Sequence, residues 1–319
     1  TYHSGYVSRE ITIMALNEKR LIVSEFDFDD VKSNLKTFLE AQNEFTDYDF
    51  EGSGMSVLLD ILAYNTHYLG FNMNMLANEM FLDSASLRSS VVSHAKTLGY
   101  ETASVRSAKA EVDVILFDSV KTTGTLAAGT VFTSSVDDVD FQFVTIEDYT
   151  ASNTGSQINF QNIPIYEGTF ITTRITVDQT DVDQRFVIPD NRADTNTLIV
   201  KVQNSASDTT STTFTKATDI TQVSSTSNSY FIQEVENGKH EVYFGDGVVG
   251  KALSSGNIVV LTYVVTNGPS ANTAAVFSNA AAIDTVVSVS VQTVFEASGG
   301  ANAETIASIK FNAPLDYAS

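Results

Sequence analysis

The chain contains no cysteine and no tryptophan, and its basic residues are few. Without cysteine, neither disulfide bonds nor thiolate chemistry is possible. Its 18 lysine and arginine residues stand against 39 aspartate and glutamate residues, which gives a formal net charge of -21. Phosphate backbones and anionic lipid headgroups bind basic surfaces, so this balance argues against nucleic acid or membrane partners.

Long apolar runs are also missing. No stretch approaches the roughly 20 consecutive apolar residues that span a bilayer. The first 20 residues carry several charges and no sustained apolar core, so we expect no signal peptide. Met14 begins a plausible translation start, which makes residues 1–13 an extended or alternative N-terminus. A chain of 319 residues, 43% of them hydrophobic, is long enough for two or three domains.

The periodicity of apolar residues is helical up to about residue 105. A first helix is predicted after Ser24 or Asp27, either of which can cap it. The residues that define its apolar face are Phe28, Val31, Leu35, Phe38 and Leu39. A second, longer helix is predicted from Ser53 towards Phe81.

A third helix is predicted over residues 85–98, between Ser84 as N-cap and Gly99 as the C-terminal stop. Its expected core positions are Leu87, Val91, Ala95 and Leu98.

Short alternating runs rich in Thr, Val and Ile follow from Ala110 onward, separated by turn residues. This pattern is typical of antiparallel β domains. The predicted strands are 111–117, 130–133, 141–145, 169–177, 185–188, 198–202, 230–234, 241–244 and 258–265. The Ser/Thr-rich stretch 205–229 is predicted to be a flexible loop or a weak edge hairpin.

The predicted fold class is α+β. We divide the chain into an N-terminal extension (1–23), a helical region (24–105), β-rich domains (106–277) and a linker or start of a C-terminal half (278–319). The last segment is expected to include a strand, followed by a hinge at Gly299 and Gly300.

Two motifs imitate ligand sites. The segment Gly245–Gly250, GDGVVG, matches a dinucleotide fingerprint, but no helix pattern follows it, and a phosphate site needs a helix N-terminus. We interpret it as a glycine turn between two strands. The stretch from Asp47 begins like a calcium loop but has Leu58 where a bidentate Glu is required. We interpret it as a helix entry.

No catalytic or metal constellation is apparent. The four histidines, His3, His67, His94 and His240, are far apart and lack paired metal-ligand spacing. A G-x-S-x-G nucleophile elbow is absent. We therefore expect no enzyme activity, no cofactor and no metal.

The long helix is apolar on more than one side and cannot stand alone in water. Within it, Asn65, Asn72 and Glu79 recur every seven residues among leucines. A polar residue at a buried seam position costs stability but fixes register and partner number. This pattern favours a helical bundle built from several chains; the alternative is the wet side of a helix in a monomeric fold.

Several segments resemble a known family. The segment 42–66, QNEFTDYDFEGSGMSVLLDILAYNT, and the segment 87–100, LRSSVVSHAKTLGY, are similar to baseplate wedge proteins of T-even-type contractile-tailed phages, in the wider baseplate J-like family. Weaker similarities follow in the same order at 125–132 (TLAAGTVF), 240–253 (HEVYFGDGVVGKAL), 260–271 (VLTYVVTNGPSA) and 309–317 (IKFNAPLDY).

The resemblance implies a structural subunit of the virion, assembled in the host cytoplasm. It implies a homodimer with a second copy, helical-bundle partners among other wedge proteins, and a sheath-connecting subunit. It also implies a role in linking wedge components around the central hub and in passing conformational change to the tail sheath.

Carried onto this sequence, the core-bundle interface comprises Gln42, Asn43, Phe45, Asp47, Tyr48, Asp49, Phe50, Glu51, Gly52, Leu58, Asp60, Leu62, Ala63, Tyr64, Asn65, Asn72, Leu87, Arg88 and Val91. Family members continue past the position of Ser319. The resemblance therefore covers the helical bundle but not the contacts that join neighbouring wedges into a ring. The alternative function is a host-binding fibre or a carbohydrate-binding β module, for which surface aromatics on β loops would be needed.

Overall fold

The computed structural model describes residues 27–41, 53–181 and 184–318. Within it the chain divides into two compact units, Thr1–His94 and Ala95–Ser319. Helices dominate the described part of the first unit, and antiparallel-rich β sheets dominate the second. The predicted α+β class is confirmed.

Two helices pair in the helical unit. Helix α1 is Phe28–Glu40 and helix α2 is Gly54–Glu79. Helix α2 begins next to Ser53, as predicted, and Ser53 caps it, because its hydroxyl accepts a hydrogen bond from the amide of Ser56 at 3.0 Å. The two helices are joined by an ion pair in which Lys32 Nζ lies 2.5 Å from Asp60 Oδ1. Phe38, one of the residues of the predicted apolar face of α1, is 63% exposed.

Helix α3, Arg88–Thr97, starts later than predicted. The expected cap Ser84 donates instead to the carbonyl of Asn78. The carboxylate of Glu79, at the end of α2, accepts the amides of Ser86 and Leu87 just before α3. A side chain from the preceding helix thus does the work that sequence spacing assigned to Ser84. Gly99, with φ of 82°, ends the helix as predicted.

The β unit contains two large sheets and one strand pair. The strands of the six-stranded sheet, in spatial order, are β14 (Ser278–Asn279), β3 (Val131–Val136), β4 (Val139–Val144), β6 (Gln157–Glu167), β1 (Lys109–Phe117) and β15 (Val289–Ser298). Strands β2 (Thr123–Leu126) and β5 (Tyr149–Ser152) form the separate antiparallel pair. The alternating burial of β1 shows one face of this sheet turned to a core.

The strands of the seven-stranded sheet, in spatial order, are β7 (Thr169–Thr176), β13 (Ile258–Val265), β9 (Ala193–Gln203), β10 (Ser211–Lys216), β11 (Ser229–Glu234), β12 (His240–Phe244) and β8 (Phe186–Val187). All neighbours are antiparallel except β10 and β11, which are parallel. Each large sheet has its own buried core. Phe132 and Phe143 lie in the core of the first sheet, and Leu261 and Tyr263 in the core of the second.

Buried carboxylates connect the two sheets. Glu167, at the end of β6, is 1% exposed and accepts bonds from the Thr266 hydroxyl at 2.5 Å and the Asn267 amide at 3.0 Å, just after β13. Asp194 on β9, also 1% exposed, accepts the amide of Ser107 at 2.8 Å, just before β1. Each side chain accepts hydrogen bonds from neutral donors, as buried polar groups generally do.

Helix α4, Ile306–Ala318, closes the described chain. Its anchor is Glu304, whose carboxylate accepts the Tyr100 hydroxyl at 2.8 Å and the Ala103 amide at 3.1 Å. Ile309 and Ala313 are the buried residues of this helix.

Two sequence predictions fail in the β unit. The stretch 205–229 holds β10, a central strand whose Phe214 is buried, so the predicted loop or edge hairpin is wrong for residues 211–216. The stretch 278–319, interpreted as a linker or the start of a C-terminal half, contains β15, which pairs with β1 along most of its length, so it is not a linker throughout. The strand predicted for that stretch is therefore present, but it belongs to the six-stranded sheet.

Candidate functional site

Among the described residues of the helical unit, most of the exposed large apolar side chains lie on α2. Its buried residues, Ser56, Leu59, Ala63 and Gly70, are small or aliphatic and follow one side of the helix. Elsewhere around the helix, large apolar side chains are exposed to solvent. Contiguous exposed apolar patches on soluble proteins usually mark binding surfaces.

One row of exposed residues on α2 we name the aromatic seam. Its spacing alternates between four and three residues, the a/d repeat of a helix that packs against another helix. Every member is more than half exposed; Tyr64 is 65% exposed and Phe71 is 60% exposed. The aromatic seam comprises Val57, Ile61, Tyr64, Tyr68, Phe71 and Met75.

A second row, the leucine seam, repeats with the same spacing one residue further along. It comprises Leu58, Leu62, Asn65, Leu69, Asn72 and Leu76. All six residues are exposed, with Leu76 68% exposed. An offset of one residue rotates this seam by about 100° around the helix from the aromatic seam. Helix α2 therefore presents one inner side and two outer apolar sides, each patterned to receive another helix.

The series of polar residues that repeats every seven positions has two members on the exposed surface, one fewer than predicted. Asn65 and Asn72 lie within the leucine seam, as the sequence pattern indicated. Glu79 does not continue it, because its carboxylate is bound by Ser86 and Leu87. Partial burial tends to raise the pKa of Glu79, but hydrogen bonds from Ser86, Ser90 and Leu87 outweigh it and lower the pKa to about 2.

The remaining residues of the predicted interface fall into three groups. Leu58, Leu62, Tyr64 and Leu87 are exposed, while Asp60 pairs with Lys32 and Arg88 is half-buried. Ala63 and Val91 are completely buried within the chain, so they support the surface and cannot contact a partner directly. The residues that lie outside the described part of the chain are Gln42, Asn43, Phe45, Asp47, Tyr48, Asp49, Phe50, Glu51 and Gly52.

Sequence reasoning missed the aromatic seam as a unit. The interface predicted by resemblance includes Tyr64 but omits Tyr68, Phe71 and Met75. The 4-3-4-3-4 spacing that defines the seam is visible in the sequence. It was obscured because the leucine seam has the same spacing and overlaps it along the same residues.

The glycine-rich segment Gly245–Gly250 is a tight turn, as predicted. It follows β12, and the next regular element is β13, with no helix between them among the described residues. The Asp246 carboxylate accepts the amides of Val248 at 2.9 Å and Val249 at 3.1 Å. Those amides would be the anion-binding groups of a phosphate loop, and here the chain's own carboxylate occupies them.

Within the described ranges, no three His, Asp or Glu side chains converge on a point that could hold a metal ion. Across the same ranges, none of the helices combines the length and apolarity needed to cross a membrane. The calcium-like stretch after Asp47 is mostly outside the described residues, so its interpretation stays a prediction.

Comparison with known proteins follows the same division into helical and β parts. Residues 27–100 match the family model described as baseplate wedge protein gp6-like, helical domain. Residues 171–278 match the model described as bacteriophage baseplate wedge protein gp6, third domain. The chain is 31% identical over 312 residues to baseplate wedge protein gp6 of Enterobacteria phage T4.

This chain belongs to the family of gp6-like baseplate wedge proteins. The aligned region covers 89% of this chain and 46% of the T4 protein, so the chain spans about half the length of that relative. Members of this family are structural components of the phage tail baseplate. The predicted resemblance and the predicted place in the virion are confirmed.

A solved structure was also found, a chain of the baseplate of the anti-feeding prophage. It is 12% identical, with a TM-score of 0.32, and the match covers 94% of this chain and 61% of the other. A score this low supports no conclusion about mechanism or detailed fold.

Proposed function

We propose that this gp6-like wedge subunit joins its neighbours through α2, as one helix of a bundle formed by several chains. The observation that carries the proposal is the pair of exposed seams on one helix. A single seam is sufficient for one partner helix, whereas two seams about 100° apart require two. The proposed role is structural and non-enzymatic.

The energetics favour a bundle that uses both seams. Ten of the twelve seam residues are apolar and about half exposed. Completing their burial contributes on the order of 1 kcal/mol each, or roughly 10 kcal/mol together. Association costs about 4–15 kcal/mol in lost translational and rotational freedom. Each seam provides about half of this gain, so covering both seams stabilises the assembly more than covering one.

The proposed partners are a second copy of this chain, other baseplate wedge proteins and a sheath-connecting subunit. The leucine seam adds a condition on the helix that covers it. Asn65 and Asn72 lose hydrogen bonds to water on burial, so their partner must bring polar groups to the same two levels. The aromatic seam imposes no such condition and accepts a purely apolar helix face.

The same subunit is proposed to link wedge components around the central hub and to pass conformational change to the tail sheath. A switch of this kind needs an interface with two alternative arrangements. Comparing the neighbours of α2 in extended and contracted tails tests this part. Identical contacts in both states would exclude α2 from the switch.

The interface itself is tested with variants of exposed residues. We expect Tyr68→Gln and Leu69→Gln, each changing one seam, to leave the thermal unfolding of the isolated chain within a few degrees of wild type. Both residues are 55% exposed, and substitutions at exposed positions change stability little. Each variant should lose co-elution with wedge proteins in size-exclusion chromatography with light scattering.

The matched control is Thr213→Val, a substitution at an exposed position of the β unit. It should co-elute as wild type does. Normal assembly of both seam variants would contradict the proposed interface. The alternative function as a host-binding or carbohydrate-binding module gains little support, because the half-buried Phe231 and the exposed Tyr243 stack on each other, with ring centroids 5.2 Å apart.

A further inference from the structure

Strand β7 is a terminal strand of the seven-stranded sheet, and its outer edge is unusually regular. It pairs with β13 over eight consecutive residues without a bulge. It contains no proline and a single charge, Arg174. Natural proteins normally protect such edges with charges, prolines or bulges, since unpaired backbone groups otherwise recruit another strand.

The backbone direction along β7 can be read from three hydrogen bonds. The amide of Val177, just after β7, donates to the carbonyl of Asn257, just before β13, at 2.8 Å, so this amide points towards β13. Because direction alternates along a strand, even-numbered residues direct their backbone groups away from β13. Consistent with this, the Gly168 amide donates to Gln142 on β4, and the Thr176 carbonyl accepts from Gln184.

The free part of this edge is centred on one residue. The amide of Gly168 and the carbonyl of Thr176 already have partners, and these two residues lie four positions either side of Thr172. Between them, the outward amides and carbonyls of Phe170, Thr172 and Arg174 accept or donate no backbone or side-chain hydrogen bond within the described ranges of the chain. Six backbone groups are therefore available, and they are placed symmetrically about Thr172.

We propose that this edge pairs antiparallel with the same edge of a second copy, about a two-fold axis at Thr172. This arrangement places Thr172 opposite its counterpart and Phe170 opposite Arg174, twice. Thr–Thr and aromatic–cation pairs are favourable across strands, and no like charges meet. Six main-chain hydrogen bonds form, which pair the outward amides and carbonyls of residues 170, 172 and 174 in both copies. The existing bonds of Gly168 and Thr176 are kept.

A second copy fits this edge better than an unrelated strand does. The symmetric limits at Gly168 and Thr176 restrict any added strand to the same short window, which β7 itself matches in length. The net charge of -21 disfavours most surfaces of this chain as self-contacts, whereas this edge carries only a positive charge. The inference locates one contact of the homodimer included in the proposed function.

Cysteine cross-linking tests the pairing, because the wild-type chain has no cysteine. Directly opposed residues in an antiparallel pair have Cα atoms about 5.5 Å apart, within disulfide range. We expect Thr172→Cys to form a covalent dimer under mild oxidation of the full chain. Arg174→Cys alone should not, since its counterpart lies roughly 13 Å along the strands. A mixture of Phe170→Cys and Arg174→Cys chains should cross-link.

Thr262→Cys provides the matched control. Thr262 lies beside Thr172 on the neighbouring strand, with the two hydroxyls 3.3 Å apart, but its distance from its own counterpart would be about 14 Å. Cross-linking of Thr172→Cys no faster than Thr262→Cys would overturn the proposal. So would equal cross-linking at all positions.

Repeating the cross-linking in a variant with a disrupted seam distinguishes edge pairing from bundle formation. In Leu69→Gln chains, which lack an intact leucine seam, selective Thr172→Cys cross-linking should persist. Loss of this cross-linking in Leu69→Gln chains would overturn the proposal that the edges pair independently of the bundle. It would not contradict the proposed bundle. Thr172→Pro, which removes only an outward amide, should abolish the pairing, and Thr172→Val should preserve it.

Discussion

Glu79 shows how one side chain determines where a helix begins. Its carboxylate gathers the amides of Ser86 and Leu87 and the hydroxyl of Ser86, and so connects the end of α2 to the start of α3. Sequence spacing favoured Ser84 for this role because hydroxyl caps are local. A carboxylate seven residues away is not visible in a local pattern.

The lowered pKa of Glu79 makes the stability of this turn dependent on pH. Its folded pKa of about 2 lies below the ordinary value of 4.5, so ionised Glu79 stabilises the folded state. That contribution is complete above pH 4.5 and is lost as the pH falls towards 2. We expect the amides of Ser86 and Leu87 to exchange faster over this window, measured by hydrogen exchange relative to neutral model peptides.

The matched variant is Glu79→Gln, which keeps the size of the side chain and removes its charge. It should be less stable than wild type at pH 7 and nearly equal to it at pH 2. A constant difference between the two proteins across this pH range would show that Glu79 does not titrate as described.

At the scale of elements, α2 was the most predictable part of the chain. Its N-cap Ser53 and its apolar surface follow from local sequence, and the helix lies where the pattern indicated. The sequence patterns did not predict strand β6 or helix α4, and each of these elements contains a proline. Strand β6 contains Pro164 and irregular burial, and α4 contains Pro314, a residue that local rules place outside helices.

Strand β10 forms because of its tertiary contacts, although its local sequence does not favour a strand. Its sequence, STTFTK, has one buried apolar residue, Phe214, among exposed polar ones. Alone, this segment predicts a loop. Its neighbours β9 and β11 supply hydrogen bonds on both sides, which no single-segment pattern reveals.

The polar positions of the leucine seam lead to a prediction about selectivity. Replacing both Asn65 and Asn72 with Leu makes the seam continuously apolar. We expect the double variant to self-associate more tightly and with less defined stoichiometry, because buried polar groups restrict register and partner number. Sedimentation equilibrium at several concentrations measures both effects.

Ser89→Leu is the control for this double variant, since it adds apolar surface at an exposed helical position outside both seams. It should self-associate as wild type does. If the Asn variants remain as discrete as wild type, the two asparagines do not define a partner.

At the scale of the whole molecule, the β unit depends on buried carboxylates that join its two sheets. Glu167 is the clearest case, with three donors from Thr266 and Asn267. Glu167→Ala leaves the buried Thr266 hydroxyl without this acceptor and removes the two bonds from Asn267, which is exposed. We expect a loss of about 1–3 kcal/mol in the free energy of unfolding. Urea denaturation monitored by tyrosine fluorescence measures it, and Glu296→Ala, at an exposed position on β15, is the control.

The account as a whole depends on α2 becoming covered by other chains. The absence of cysteine allows this to be measured directly with Leu69→Cys, Tyr68→Cys and the control Val248→Cys, which is 74% exposed on the β unit. Maleimide labelling rates are compared between the isolated chain and assembled baseplate wedges. We predict strong protection of positions 68 and 69 on assembly and little change at 248. Equal labelling of positions 68 and 69 before and after assembly would contradict the account.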